Sequence, residues 1–185
     1  MSYYTIRGIV GRGFPILLIT SVIAIFAGQI LNIELHKLVS MPIILVLIPA
    51  LIKIGGDTGS MLGARLSSSF HMGLGNHLHR SPVVRNSVLA ALIVGICACI
   101  FVGIMVWMTG AVLGIGMPFI TLMALCLIAG SFELIAVFSA TIVIAFASHR
   151  FGIDPDDTVI PLIATLGDFI GVSGIFMTMH ILNLI

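Results

Sequence analysis

Three acidic residues stand where acids are expensive. Asp57, Glu133 and Asp168 each lie inside a long apolar run. A charged side chain at the centre of a bilayer costs about 2.5–3.5 kcal/mol on insertion scales, so such residues usually face a cavity or a partner. Carboxylates in that position are suited to holding a cation. The tract PLIATLGDFIGVSGIF carries the clearest case. Asp157, Pro161, Ala164 and Asp168 are spaced by four, three and four residues, which puts them on one helical face, with Thr165 one turn from Asp168. That face begins with an acid at one mouth, has a small middle and ends on an acid at depth, about 16 Å further along the axis. Pro161 has no N–H for the helical ladder, which frees the carbonyl of Asp157. The alternative is an acid satisfied by a hydroxyl inside the bundle.

Asp57 sits in KIGGDTGSMLGAR. Gly55, Gly56, Gly59 and Gly63 predict a poor regular helix, and broken backbone at membrane depth belongs where it is buried or lines a watery cavity. Exposed carbonyls there would hydrate or ligate hard cations. Close packing of small residues, with Asp57 paired to Lys53 or Arg65, stands equally open. Glu133, in AGSFELIAVFSA, either faces a pore or bonds Ser131, Ser139 or another helix, and a structural role has the edge. Asp154 before Pro155 reads as a helix N-cap, and with Asp156 and Asp157 as an acidic funnel for cations at a mouth. His71, His77 and His79 fall in a loop read as solvated rather than metal-binding. His180, Glu34 and His36 read as interfacial.

The elements that must position these residues follow from composition. Of 185 residues, 59% are hydrophobic and 8% charged, and mean hydropathy is +1.27. Soluble domains carry about 25% charged residues, so most of this surface does not meet water. Runs of about 20 apolar residues suffice to span the hydrocarbon core. Breaks in the sequence predict five spans: Pro15–Ile33, Met41–Ser69, Asn86–Thr109, Met117–Ser148 and Pro155–Leu184. The fold class is therefore an all-α integral membrane bundle, one domain over 1–185 with no signal peptide. Cys97, Cys99 and Cys126 lie in apolar runs and read as small buried residues. The net charge of +1 implies no nucleic-acid partner. With the N-terminus inside and an odd number of spans, Arg7, Arg12, Arg65, Arg80, Arg85 and Arg150 share one side, opposite Lys37. The positive-inside rule then predicts a cytoplasmic N-terminus and an external C-terminus in the plasma membrane.

Two motifs resemble the transmembrane domain of the MgtE family of magnesium channels and transporters, related to solute carrier family 41. They are GGDTGS at Gly55–Ser60 and DPDDTVIPLIATLGDFIG at Asp154–Gly171. The second is the more specific, because proline, threonine, acid and glycine recur at fixed offsets. The resemblance implies that Asp168 is the central pore aspartate holding hydrated Mg²⁺ and that the Ala164 carbonyl faces the ion. It implies that Gly55 and Gly56 bring the second span close to the pore, and that the pore lies on the axis of a homodimer. The chain departs from the family in carrying Asp57 in place of asparagine and Glu133 close to a frequent asparagine. It also lacks a cytoplasmic domain with a CBS pair, so regulation by that route is not expected.

Together these readings describe a divalent-cation channel or transporter, with Mg²⁺ as transported ion and no cofactor. Mg²⁺ keeps several of its waters, so one or two carboxylates with carbonyls suit it better than a full cage. The metal-facing set is Asp168, Ala164, Gly55, Gly56 and Asp57. Pore-lining or mouth positions are Asp157, Asp154, Pro161, Thr165 and Glu133. Two-fold symmetry would give one M²⁺ two copies of Asp168, and a cysteine at Ala164 or Gly171 would report that interface. Alternatives are a carrier or exporter of Mn²⁺ or Co²⁺ coupled to Na⁺ or H⁺, and a non-transporting membrane subunit. An intramembrane aspartyl protease is more remote: Thr165-Leu166-Gly167-Asp168 lacks that motif's first glycine, and no Tyr-Asp partner exists.

Overall fold

The computed structural model describes residues 5–73, 82–153 and 155–184. All regular structure among them is helical. The helices are α1 (Ile6–Ile33), α2 (Leu35–Ser40), α3 (Pro42–His71), α4 (Pro82–Leu113), α5 (Phe119–Arg150) and α6 (Pro155–Ile181). Five of the six are long and apolar enough to cross a membrane, so this is a multi-pass membrane protein.

Local chemistry sets the helix ends. The Thr5 hydroxyl caps α1 by accepting from the Gly8 N–H at 3.3 Å. Proline opens α3, α4 and α6 at the first helical position, where its missing N–H costs nothing. Gly114 and Gly152 adopt φ +69° just past α4 and α5. In that conformation the next N–H turns back into the last helical turn, Ile115 to the Gly110 carbonyl at 3.1 Å and Ile153 to the Ser148 carbonyl at 2.9 Å. Inside the spans, several hydroxyls bond their own helix. Thr58 donates to the Ile54 carbonyl at 2.6 Å and Thr141 to the Val137 carbonyl at 2.8 Å, which removes the cost of an unpaired group away from water.

α3 lies at the centre, packed against α4, α5 and, most extensively, α6. Its pairings run in order. Gly63 abuts Val159, Gly59 abuts Ile163, Gly56 abuts Ala164, and Ile52 abuts Gly171, so α3 and α6 are antiparallel. Gly95, Gly103 and Gly130 set α4 antiparallel to α5 in the same way, against Leu134, Met123 and Cys99. At one end of the bundle the Phe70 ring stacks on His149, centroids 4.4 Å apart. Arg85 and Arg150 lie at that same end, opposite the turn holding Lys37.

Several expectations change. The helix bounds differ from the predicted spans: α1 continues back through Pro15 to Ile6, α4 covers Pro82–Leu113, and α6 ends at Ile181 rather than Leu184. The short helix α2 fills the connection between the first two predicted spans, with a Lys37–Glu34 ion pair of 2.7 Å at its start. Most importantly, α3 is unbroken through Gly55–Gly63. Glycine's low helical propensity is overridden because each missing side chain admits a neighbouring helix. The histidine pair His77 and His79, Arg80 and Asp154 lie outside the described residues.

Candidate cation site

The three acids share one depth. Asp168 is central in α6, about 20 Å along the axis from either end. Asp57 stands about 22 Å from the start of α3, and Glu133 about 21 Å from the start of α5. Their surroundings differ sharply.

Asp57 and Lys53 occupy the outer face of α3. The ammonium lies 3.3 Å from the Asp57 carboxylate, and the side chains are 58% and 61% exposed. The same face continues through half-buried Ser60 and exposed Met61 to exposed Arg65 and Ser68. Asp168 on α6 is half-buried, and its neighbour Gly167 packs against Gly56, the residue before Asp57, so the two acids stand at one level on adjoining helices. Two adjoining helices therefore leave a charged surface open at the level where a lipid-facing helix would be wholly apolar.

Behind that surface the helices almost touch. A Cβ built on Gly167 would lie 2.6 Å from Gly56 Cα, and one on Gly56 would lie 3.1 Å from the Ala164 carbonyl oxygen. Backbone cannot yield as a side chain can, so only glycine fits at the crossing. The Ala164 carbonyl is thereby held against α3 beside Gly56. The Ser60 hydroxyl ties the helices one turn away by donating to the Ile160 carbonyl at 3.3 Å. Thr165 spends its hydroxyl on the Pro161 carbonyl at 3.0 Å, inside its own helix. The backbone of Asp157 lies in the first turn of α6.

Glu133 is elsewhere. It is 1% exposed and sits in the α3–α5–α6 crossing. A Cβ on Gly55 would fall on its carboxyl, and one on Gly171 would lie 3.0 Å from Oε1. That Oε1 is buried without a hydrogen-bond partner among the described residues, and the Ser139 hydroxyl is occupied with the Ile135 carbonyl at 2.7 Å. Gly55 therefore turns toward Glu133, while Gly56 turns toward Ala164 and Gly167. Gly171 is buried inside the protomer against Ile52 and Glu133, so a cysteine there would not report a contact between chains, as the sequence reading expected. Cys99 and Cys126 are buried, whereas Cys97 is exposed, contrary to the expectation that all three are buried.

Sequence reasoning passed over Gly167 and Ser60. The signal for Gly167 was present: Gly167, Gly171 and Gly174 follow one another at helical spacing, as Gly55, Gly59 and Gly63 do on the helix opposite. Among the described residues no three His, Cys, Asp or Glu side chains converge into a metal cage. Within one protomer the arrangement offers a few carboxylates and a helix crossing rich in backbone, a donor set that suits a hydrated hard cation better than a thiolate- or imidazole-loving metal.

No curated protein and no solved structure gives a significant match to the chain. The family model of MgtE, divalent cation transporter, matches residues 48–178, which span α3 to α6 and include every acid discussed above except Glu34. The matched segment covers well over half of the chain, and the family is one of transporters rather than enzymes, which removes the protease alternative. The chain belongs to the MgtE family of divalent cation transporters.

Proposed function

We propose that this protein passes a hydrated divalent cation, Mg²⁺ first, along the α3–α6 surface of a homodimer, with Asp168 on the two-fold axis. One observation carries the reading: near the middle of helices long and apolar enough to cross a membrane, Asp57 and Lys53 are exposed, and Asp168 half-buried, on the outside of a single protomer. Lipid is a poor neighbour for that surface, since each charge facing hydrocarbon costs about 2.5–3.5 kcal/mol or more. A second copy across a two-fold axis covers it and encloses a polar path. The axis also doubles the acids available to one ion, and a divalent cation with a single carboxylate in low dielectric would keep uncompensated charge.

In this reading the ion keeps most of its water. Asp168 and its mate supply negative charge at the centre, the Ala164 carbonyl and Asp57 contact the hydrated ion nearby, and Gly55 and Gly56 let α3 approach. Asp154, Asp156 and Asp157 gather cations at the α6 mouth. Pro161 and Thr165 shape the wall between mouth and centre. Glu133 acts from behind, by filling the crossing that holds Gly55 and Gly171 in place. The clustering of arginines at one end supports a cytoplasmic N-terminus and an external C-terminus.

The test is flux into proteoliposomes holding only this protein, with Mg²⁺, Ca²⁺, Mn²⁺ and Na⁺ offered separately. Asp168→Asn keeps the side chain's size and removes its charge. Flux of the favoured divalent ion is expected to fall at least about a hundredfold, the loss of a charge interaction of a few kcal/mol. Normal flux from folded Asp168→Asn protein overturns the site. A strictly monomeric but transporting species overturns the shared axis.

A further inference from the structure

Lys53 is a residue that a cation pathway does not ask for. It stands one turn before Asp57, its ammonium 3.3 Å from the carboxylate, and Gly56 beside Asp57 packs against Gly167 beside Asp168, so the pair and Asp168 lie at one level of adjoining helices. An ammonium there repels any arriving cation. In the single protomer both side chains are more than half exposed, on the surface that the proposed dimer turns to its ion path. A lysine ammonium is a compact point charge on a flexible four-carbon stem, able to leave its partner without any backbone movement.

The geometry points to Lys53 as a tethered counter-cation of the transport site: it pairs with Asp57 when no ion is bound and is displaced when a divalent ion arrives. This rests on the reading of Asp57 and Asp168 as groups that meet the ion. The charge balance fits. With both acids ionised, and with Arg65 two turns beyond Asp57 left aside, one lysine against two acids leaves one net negative charge per protomer and two per dimer, the charge of one M²⁺. The device does two things. It weakens binding enough for release, which conduction requires. It also favours divalent ions, because a monovalent ion brings no more charge than the ammonium it must displace. The ammonium has the further advantage of a high effective concentration, being attached to the same helix.

The first test uses the wild-type protein in lipid. Acylation of lysines by a water-soluble amine reagent is followed by mass spectrometry with and without Mg²⁺, with Lys37, paired to Glu34 on α2, as internal reference. Mg²⁺ is expected to raise the rate at Lys53 several-fold relative to Lys37. An unchanged or slowed Lys53 overturns the proposal. The second test measures Mg²⁺ binding by calorimetry and Mg²⁺ flux against Na⁺. Lys53→Gln is expected to bind Mg²⁺ about tenfold or more tightly, as removal of a like charge at close range requires. Its maximal flux should fall, and Na⁺ should inhibit it where the wild type is indifferent. Lys53→Arg should retain the wild-type behaviour, and Lys53→Gln with Asp57→Asn should return affinity toward wild type. Folded Lys53→Gln with wild-type affinity and Na⁺ indifference overturns the role of Lys53 alone. Wild-type protein that binds no divalent ion, with Asp168→Asn indistinguishable from it, overturns the transport site and this role together.

Discussion

Two outward faces of this bundle lie at the same depth and are opposites. α4 presents Ile93, Val94, Phe101 and Ile104 and carries no ionisable side chain beyond Arg85 near its start except the thiols of Cys97 and Cys99. α3 presents Lys53, Asp57, Met61 and Arg65. Both faces are exposed in a single protomer, but exposure means different things on them. An apolar face at that depth is at home against acyl chains, where burial by protein gains little. A charged face there is incomplete until water or protein covers it. Which helix faces lipid is thus read from what it exposes rather than from how much.

The comparison breaks most visibly in water accessibility. In a background with Cys97, Cys99 and Cys126 replaced by alanine, Met61→Cys and Phe101→Cys place thiols on the two faces, 48% and 61% exposed in the parent residues. A charged thiol reagent needs a thiolate and water. Met61→Cys should react on the order of a hundredfold faster than Phe101→Cys. Comparable rates would mean that α3 meets lipid as α4 does. Addition of Mg²⁺ should slow Met61→Cys alone.

The helix crossing behind the charged face gives the next largest effect. Gly167→Val puts a branched side chain where even a Cβ would lie 2.6 Å from Gly56 Cα and 2.7 Å from its nitrogen. Overpacking of this kind costs about 1–3 kcal/mol when neighbours can shift, and more when the obstacle is backbone. The expected outcome is loss of monodisperse protein, or a large fall in Tm in detergent. Near wild-type Tm would show that α3 and α6 are less closely apposed.

A smaller effect separates Gly55 from Gly56. Gly55→Ala collides with the Glu133 carboxyl, whereas Gly56→Ala meets Ala164 backbone. Glu133→Ala should therefore rescue Gly55→Ala and leave Gly56→Ala unrescued. Contacting pairs couple by about 0.5–3 kcal/mol in double-mutant cycles, measurable as non-additive shifts in Tm. Equal rescue of both would mean that Glu133 does not pack where Gly55 requires it to.

These residues also show what the sequence could tell. Spans and deep acids were legible because each is a local statement: a run of apolar residues has a length, and a charge in it has a cost. The spacing of Asp157, Pro161, Ala164 and Asp168 was also local, and α6 is helical through all four. The continuity of α3 was not. Four glycines in nine residues lower helical propensity, and whether the chain breaks or another helix fills the groove depends on residues a hundred positions away, such as Ile163 and Gly167. Glu133 was ambiguous for the same reason. Its spacing is compatible with either side of α5, and the choice is made by Gly55 and Gly171, which leave room for a carboxyl between α3 and α6. Lys53 was visible as a partner for Asp57, but its sharing of one open surface with Asp168 is a property of how two helices pack.

The smallest predicted effect asks whether α1 belongs with the lipid-facing α4 side of the comparison. α1 is only lightly buried, and a Cβ on Gly28 meets nothing within 4 Å. Alanine is preferred over glycine in helix interiors by about 0.5–1 kcal/mol, mainly through the freedom glycine loses on folding. If this face of α1 meets lipid, Gly28→Ala should leave Tm unchanged or raise it slightly, and leave the particle size in detergent unaltered. The outcome with consequences is the opposite one. Small residues on spans are also where a second helix approaches closely, so a Gly28→Ala protein that folds but dimerises more weakly would show that α1 lies in the interface. The charged α3 face and α1 would then be covered by the same partner. α4, whose buried glycines Gly95, Gly103 and Gly110 all turn inward, would be left as the face turned to the bilayer.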